Sequence, residues 1–129
     1  MATARDIITR SLRELGVVDG AEEVSAEDAT ASLAVLNDML AAWELDAVPL
    51  GQGTMTLNSD FVCPDSHLEA IRANLSARLS PLFGRQPSPI VVEQAARGMR
   101  SLQNAYHKTR LLNVDPALRW RRANLGRVV

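Results

Sequence analysis

One stretch of the chain restricts its fold more than any other. Ala29, Leu33, Leu36, Leu40, Trp43 and Ala47 recur at alternating steps of four and three residues. That spacing draws a single face of an α-helix. Val35, Met39 and Ala42 widen the stripe. A stripe this broad must be laid against other helices, so the chain folds as a helical assembly. Ser25 stands where an N-cap is needed, and Glu27 and Asp28 fall in the first turn, where the helix dipole favours negative charge. Pro49 and Gly51 close the segment. The pattern predicts a helix over residues 26–47.

The same period recurs on both sides. Thr3 and Asp6 have capping-box spacing, with aspartate in place of glutamate. Ala4, Ile8, Leu12 and Leu15 follow on one face, and Gly16 can adopt the left-handed conformation that ends a helix. This predicts a helix over 4–15. Farther on, Ser66 and Glu69 form another capping-box pair, and Leu68, Ile71, Leu75, Leu79 and Leu82 line a face. Pro81 must end or kink that helix near its last turn. Ser88 and Pro89 start a fourth helix, with Val91, Ala95, Gly98, Leu102 and Ala105 as its stripe. Ala95, Ala96 and Gly98 are small enough for close helix contact, within the chain or between copies.

Between the second and third helices the character changes. Thr54-Met55-Thr56-Leu57 alternates polar and apolar residues, Asn58-Ser59-Asp60 is turn chemistry, and Phe61-Val62-Cys63 is a short extended run. This reads as a small β-hairpin near residues 54–63. The expected architecture is mainly α: a four-helix bundle over residues 1–109, with one hairpin between its second and third helices. Residues 110–129 are expected as an extended, basic C-terminal arm.

Composition narrows the function classes. With 129 residues, 47% of them hydrophobic and 22% charged, the chain is sized for one ordinary domain. No apolar run approaches the roughly 20 residues that span a bilayer, so no membrane association is expected. Met1 to Asp6 lacks the basic-then-apolar order of a secretory signal. One cysteine and two histidines are too few for an unaided four-ligand zinc site.

Charge is divided along the chain. Residues 1–65 hold three basic and twelve acidic side chains, a net of −9; residues 66–129 hold eleven and three, a net of +8. Thirteen of the fourteen cations are arginine, whose planar fork suits carboxylate and phosphate partners. Either the halves neutralise each other within a subunit, or the acidic half of one copy faces the basic half of the next, or the basic half meets an acidic partner.

The sequence carries no motif of catalytic chemistry. There is no nucleophile elbow, no phosphate-binding loop and no H-E-x-x-H. Gly51-Gln52-Gly53 reads as a flexible turn. Cys63 reads as a small buried apolar group, His67 as an exposed first-turn residue, and His107 as facing solvent or a partner. Glu22 and Glu23 read as a solvated pair in a loop. No enzymatic activity and no cofactor or metal is expected.

The tail is the exception. Arg119, Trp120, Arg121 and Arg122 set one of only five aromatic residues among cations, and residues 116–129 contain no acid. A tryptophan flanked by arginines has the composition of an interface anchor. It also suits nucleic acid, through stacking and phosphate pairing, or a fold-back onto the bundle. If extended, residues 110–129 reach about 65 Å.

The order of these pieces resembles the head-to-tail adaptor family of tailed phages. That family includes the tail accessory, packaged-DNA stabilisation factor of short-tailed phages and the adaptors of gene transfer agents. The resemblance covers about residues 4–108 and rests on "LRELGVV", "LNDMLAAWELDAV" and the helix ending in "LSPLFG". It implies a helical protein that forms a ring of about twelve copies beneath the portal. Such a ring fastens to the portal after packaging, helps retain DNA, and presents a surface for the tail or stopper protein. Packaged DNA would pass through its lumen. The implied location is the virion head–tail junction, with the host cytoplasm before assembly. By position, Arg110, Arg119, Trp120, Arg121, Arg122 and Arg127 would contact the portal. The alternative is a small helical nucleic-acid-binding module that uses the arginine-rich tail.

Overall fold

The computed structural model describes residues 2–46 and 48–107. Four helices account for most of this span: α1 (Ala4–Glu14), α2 (Ala26–Leu45), α3 (Leu68–Phe83) and α4 (Pro89–Ala105). A single 3₁₀ turn, Asp65–His67, leads into α3. The architecture is the mainly α helical bundle that the periodicity predicts.

Local chemistry explains where each helix starts. The Thr3 hydroxyl accepts from the Asp6 amide, and the Asp6 carboxylate accepts from the Thr3 amide, completing the capping box. Ser25 accepts from Asp28 N–H at 3.2 Å, and Ser88 from Val91 N–H at 3.4 Å, with Pro89 opening α4. The Ser66–Glu69 pair does not cap α3. The intervening 3₁₀ turn moves the helix start to Leu68, and His67 takes the cap position without a side-chain bond.

Pro81 lies inside the last turn of α3. It has no N–H for the carbonyl of Ala77, four residues earlier. The Ser80 hydroxyl donates to that carbonyl at 2.9 Å instead. The helix thus continues past its proline to Phe83, where Gly84, at φ 63°, turns the chain away.

α3 is the central element. It packs against α1, α2 and α4, whereas α4 packs chiefly on α3. Ile71, Leu75 and Leu79 of α3 are fully buried with Ile7, Ile8 and Leu12 of α1 and Leu36, Met39 and Trp43 of α2. Two features set the helix spacing. On the α4 side, a Cβ placed at Gly98 would lie 2.6 Å from the Ala70 Cβ, so the helices touch there with no room for another carbon. The Asn74 amide straddles the same contact, donating to Ala70 O at 2.8 Å and Ala95 O at 3.1 Å. Gly98 and Ala95 therefore serve a contact inside the chain, while Ala96 is exposed. On the α1 side, Ser11 Oγ donates to Arg72 O at 3.2 Å, and Ser76 Oγ donates to Glu14 at 3.0 Å.

The hairpin expected near 54–63 is not formed. Among the described residues the only β pairing is an isolated antiparallel bridge between Thr3 and Asp60. The reason lies in the backbone accounts of the segment. A hairpin needs the amides and carbonyls of its two arms for each other, and here they are engaged elsewhere. The Asn37 side chain of α2 accepts from Met55 N–H at 2.8 Å and donates to Met55 O at 3.1 Å. Gln52 does the same across Val62 N–H (2.7 Å) and Asp60 O (3.0 Å). The carbonyls of Ser59 and Leu57 accept from the amides of Ala4 and Arg5, both at 3.0 Å. Those amides belong to the first turn of α1 and have no partner within the helix. The loop thus caps α1. Its alternation is still meaningful: Met55, Phe61 and Cys63 are buried, while Thr54, Thr56 and Val62 are exposed.

Ser32 Oγ is buried without a hydrogen-bond partner among the described residues, and nothing in the structure explains it.

Two predictions test these contacts. Gly98→Ala gains about 1 kcal/mol of helix propensity but forces a carbon into the α3–α4 contact, for a net loss of about 1–2 kcal/mol. Combined with Ala70→Gly, it should be more stable than the sum of the two single changes, as read by urea denaturation. Asn37→Leu leaves both backbone groups of Met55 without partners and should cost about 2–3 kcal/mol. Asn37→Asp, which keeps one bond, should fall between it and wild type in the same measurement.

Candidate interaction surface

The fold sorts charge by helix. α2 carries Glu27, Asp28, Asp38 and Glu44 and no lysine or arginine. The described cations sit elsewhere: Arg5, Arg10 and Arg13 on α1, Arg72 and Arg78 on α3, Arg85 in the following turn, and Arg97 and Arg100 on α4. Among the described residues there are two salt bridges, Glu14–Arg72 and Glu93–Arg97. Only the first joins the acidic half of the chain to the basic half. The second is an exposed pair within one turn of α4, at 2.7 Å, and such pairs contribute little to stability.

Arginine side chains gather where α1 meets α3. Ile7, Ile8, Ser11 and Leu12 turn inward, which leaves Arg10 and Arg13 on the outer side of α1. Arg5 lies on its flank, in an open groove of about 600 Å³ that runs between α1 and Glu23–Val24 of the following loop. Arg72 reaches the other flank from α3. Arg10 also lines two further grooves: one with Arg72 and Leu68, and one with Arg13, Glu14 and Arg72.

The electrostatics of this patch have identifiable causes. Burial lowers the pKa of Arg72 from the ordinary arginine value, and the charge of Arg10 pushes in the same direction. An arginine stays charged at neutral pH regardless, so Glu14 is held against a partly desolvated cation. Asp6 has its pKa lowered, first by the Thr3 amide that it accepts from, and further by Arg10. Both carboxylates nearest the arginines are thus committed to internal partners.

The remaining expected sites divide into those the structure reaches and those it does not. Cys63 is buried, as expected, and burial raises its thiol pKa. His107 is exposed, and Glu22 and Glu23 are exposed in the α1–α2 loop. His67 departs from expectation: it is half-buried, because the 3₁₀ turn swings it against Tyr106. The rings meet edge to face at 5.6 Å, and the Tyr106 hydroxyl lies 3.4 Å from Nδ1. Among the described residues no three His, Cys, Asp or Glu side chains converge as a metal site, and no helix is long and apolar enough to cross a membrane. Arg110, Arg119, Trp120, Arg121, Arg122 and Arg127 lie outside the described residues. The α1–α3 arginine patch was not singled out from sequence. Its α1 and α3 members are 59 or more residues apart in sequence, and the α1–α3 packing, with its shared core and the bonds of Ser11 and Ser76, brings them together.

No family model matches the chain, and no curated protein matches it in sequence.

The Asp6 geometry fixes the sign of an acid response. Its folded pKa is depressed, so its stabilising contribution is present above the unfolded aspartate pKa and is lost as pH falls through the folded one. Wild-type thermal stability should decline as pH drops below about 4, and Asp6→Asn should show a shallower decline over the same range.

Proposed function

We propose that this chain is a structural head-to-tail adaptor, a head completion protein. It assembles as a ring under a portal, joins the portal to the tail, and helps to retain packaged DNA. The observation that carries this reading is that the acids of α2 are not compensated by ion pairs among the described residues. A protein that neutralised its own halves would pair α2 with α1, α3 or α4. Here the four acids of α2 make no salt bridge among the described residues, and one ion pair alone links the two halves. Surfaces of opposite sign, both turned outward, suit a building block that contacts different neighbours on different sides. The helix order and the resemblance in "LRELGVV", "LNDMLAAWELDAV" and "LSPLFG" support the same role.

In this reading the helical body makes the ring, and Arg110, Arg119, Trp120, Arg121, Arg122 and Arg127 grip the portal. A tryptophan among arginines supplies buried area together with bidentate pairing to carboxylates. Among the described residues the buried core cluster runs from Ala4 to Leu102.

Mixing the purified protein with portal rings should give a complex visible by electron microscopy. Replacing Arg119, Trp120, Arg121 and Arg122 together by alanine should weaken it by at least about tenfold, near 1.4 kcal/mol, with the circular dichroism of the bundle unchanged. Absence of wild-type binding to portal would overturn the proposal. Duplex DNA binding that falls steeply with salt, in place of portal binding, would instead support a nucleic-acid-binding module.

A further inference from the structure

We propose that the arginine face formed by α1 and α3 is the seat for the acidic helix α2 of a second copy of this chain. The inference deepens the adaptor reading and rests on it for its biological setting.

The face has cations to offer. Arg10 and Arg13 are exposed and make no ion pair among the described residues. The carboxylates beside them are already engaged, Glu14 by Arg72 and Ser76 and Asp6 by the Thr3 amide. Arg10 borders three adjoining grooves, so its side chain stands on a ridge with space on each side. An anionic partner laid along this ridge would also relieve the repulsion between Arg10 and Arg72.

The complement lies on the same molecule. α2 buries Ala29, Leu36, Met39, Leu40 and Trp43 and turns Glu27 and Asp38 outward, three turns or about 16 Å apart. Between and beyond them Ala31, Ala34 and Ala41 are exposed, and small side chains let an arginine-bearing helix come close. Leu45, 91% exposed at the end of α2, is an apolar side chain without cover. Carboxylates would set the orientation, while Leu45 and the aliphatic stems of the arginines would add apolar contact.

A helix with spaced carboxylates fits this face better than duplex DNA does. The grooves also contain Glu23, Asp65 and Glu69, which a continuous row of phosphates would meet unfavourably. The two faces lie on different helices, so a heterologous contact between copies is open to them. Each copy offers one face and receives on the other, and repetition gives a ring or a filament.

The test uses the full chain and charge reversal. One variant carries Glu27→Arg and Asp38→Arg; the other carries Arg10→Glu and Arg13→Glu. All four positions are solvent-facing, and circular dichroism checks the fold. In sedimentation at low salt, wild type should self-associate. Each variant alone should do so at least about tenfold more weakly, and an equimolar mixture should regain association, because the reversed faces complement each other. A neutral pair, Glu27→Gln with Asp38→Asn and Arg10→Gln with Arg13→Gln, should lose association without rescue on mixing, and serves if reversal impairs folding.

Variants that associate like wild type, or weakened variants that stay apart when mixed, would overturn the inference. If such variants still form portal-bound rings, the adaptor reading survives and only this interface is wrong. A wild-type protein that remains single at low salt, with and without portal, removes both. Loss of DNA binding in the arginine variant with self-association untouched would reassign the face to nucleic acid.

Discussion

The burial of α3 on three sides is the constraint on which the rest of the structure depends. Ile71, Leu75 and Leu79 have no exposed surface and touch elements drawn from the whole described chain. A helix so enclosed cannot use long side chains at every contact. It uses the Ala70–Gly98 approach toward α4 and, toward α1, the Ser11 hydroxyl on the Arg72 carbonyl and the Ser76 hydroxyl on Glu14, and keeps its large residues for the interior. Close packing of this kind leaves little freedom for helix positions. The placement of every surface group follows from it, the arginine ridge included.

That enclosure also shapes the electrostatics. Arg72 is drawn into partial burial because its neighbours Ile71 and Ala73 are core residues. It remains acceptable there because Glu14 reaches it from α1. The pair engages one of the two carboxylates on α1; the other, Asp6, accepts from the Thr3 amide and lies close enough to Arg10 to feel its charge. On α2 the opposite holds, since no cation is present on that helix at all. The outer side of α2 therefore carries acids and no cation, while the exposed Arg10 and Arg13 make no ion pair among the described residues.

Most of the helical architecture was legible in the sequence because its signals are local. Caps at Thr3, Ser25 and Ser88 and the stripe from Ala29 to Trp43 each act within a turn or two of themselves. The hairpin reading failed for a non-local reason. Residues 54–63 do have extended, alternating character, but the choice of partner was decided by Asn37, Gln52 and the start of α1, none of which the alternation encodes. His67 was misplaced for a similar reason, because its exposure depends on where Tyr106 arrives 39 residues later. The Glu14–Arg72 link and the arginine ridge were invisible for want of a register between α1 and α3. The tail residues had only composition to speak for them.

The cap that residues 57 and 59 place on α1 has a bearing on how the protein is made. A helix of 11 residues is marginal alone in water, and here two of its opening amides are completed by carbonyls that emerge from synthesis some fifty residues later. The cap on α1 can therefore form only once residues 57 and 59 have been made. Contacts close in sequence, such as those of α3 with α4, close shorter loops than the cap on α1 does, so α1 is completed only by the longer closure.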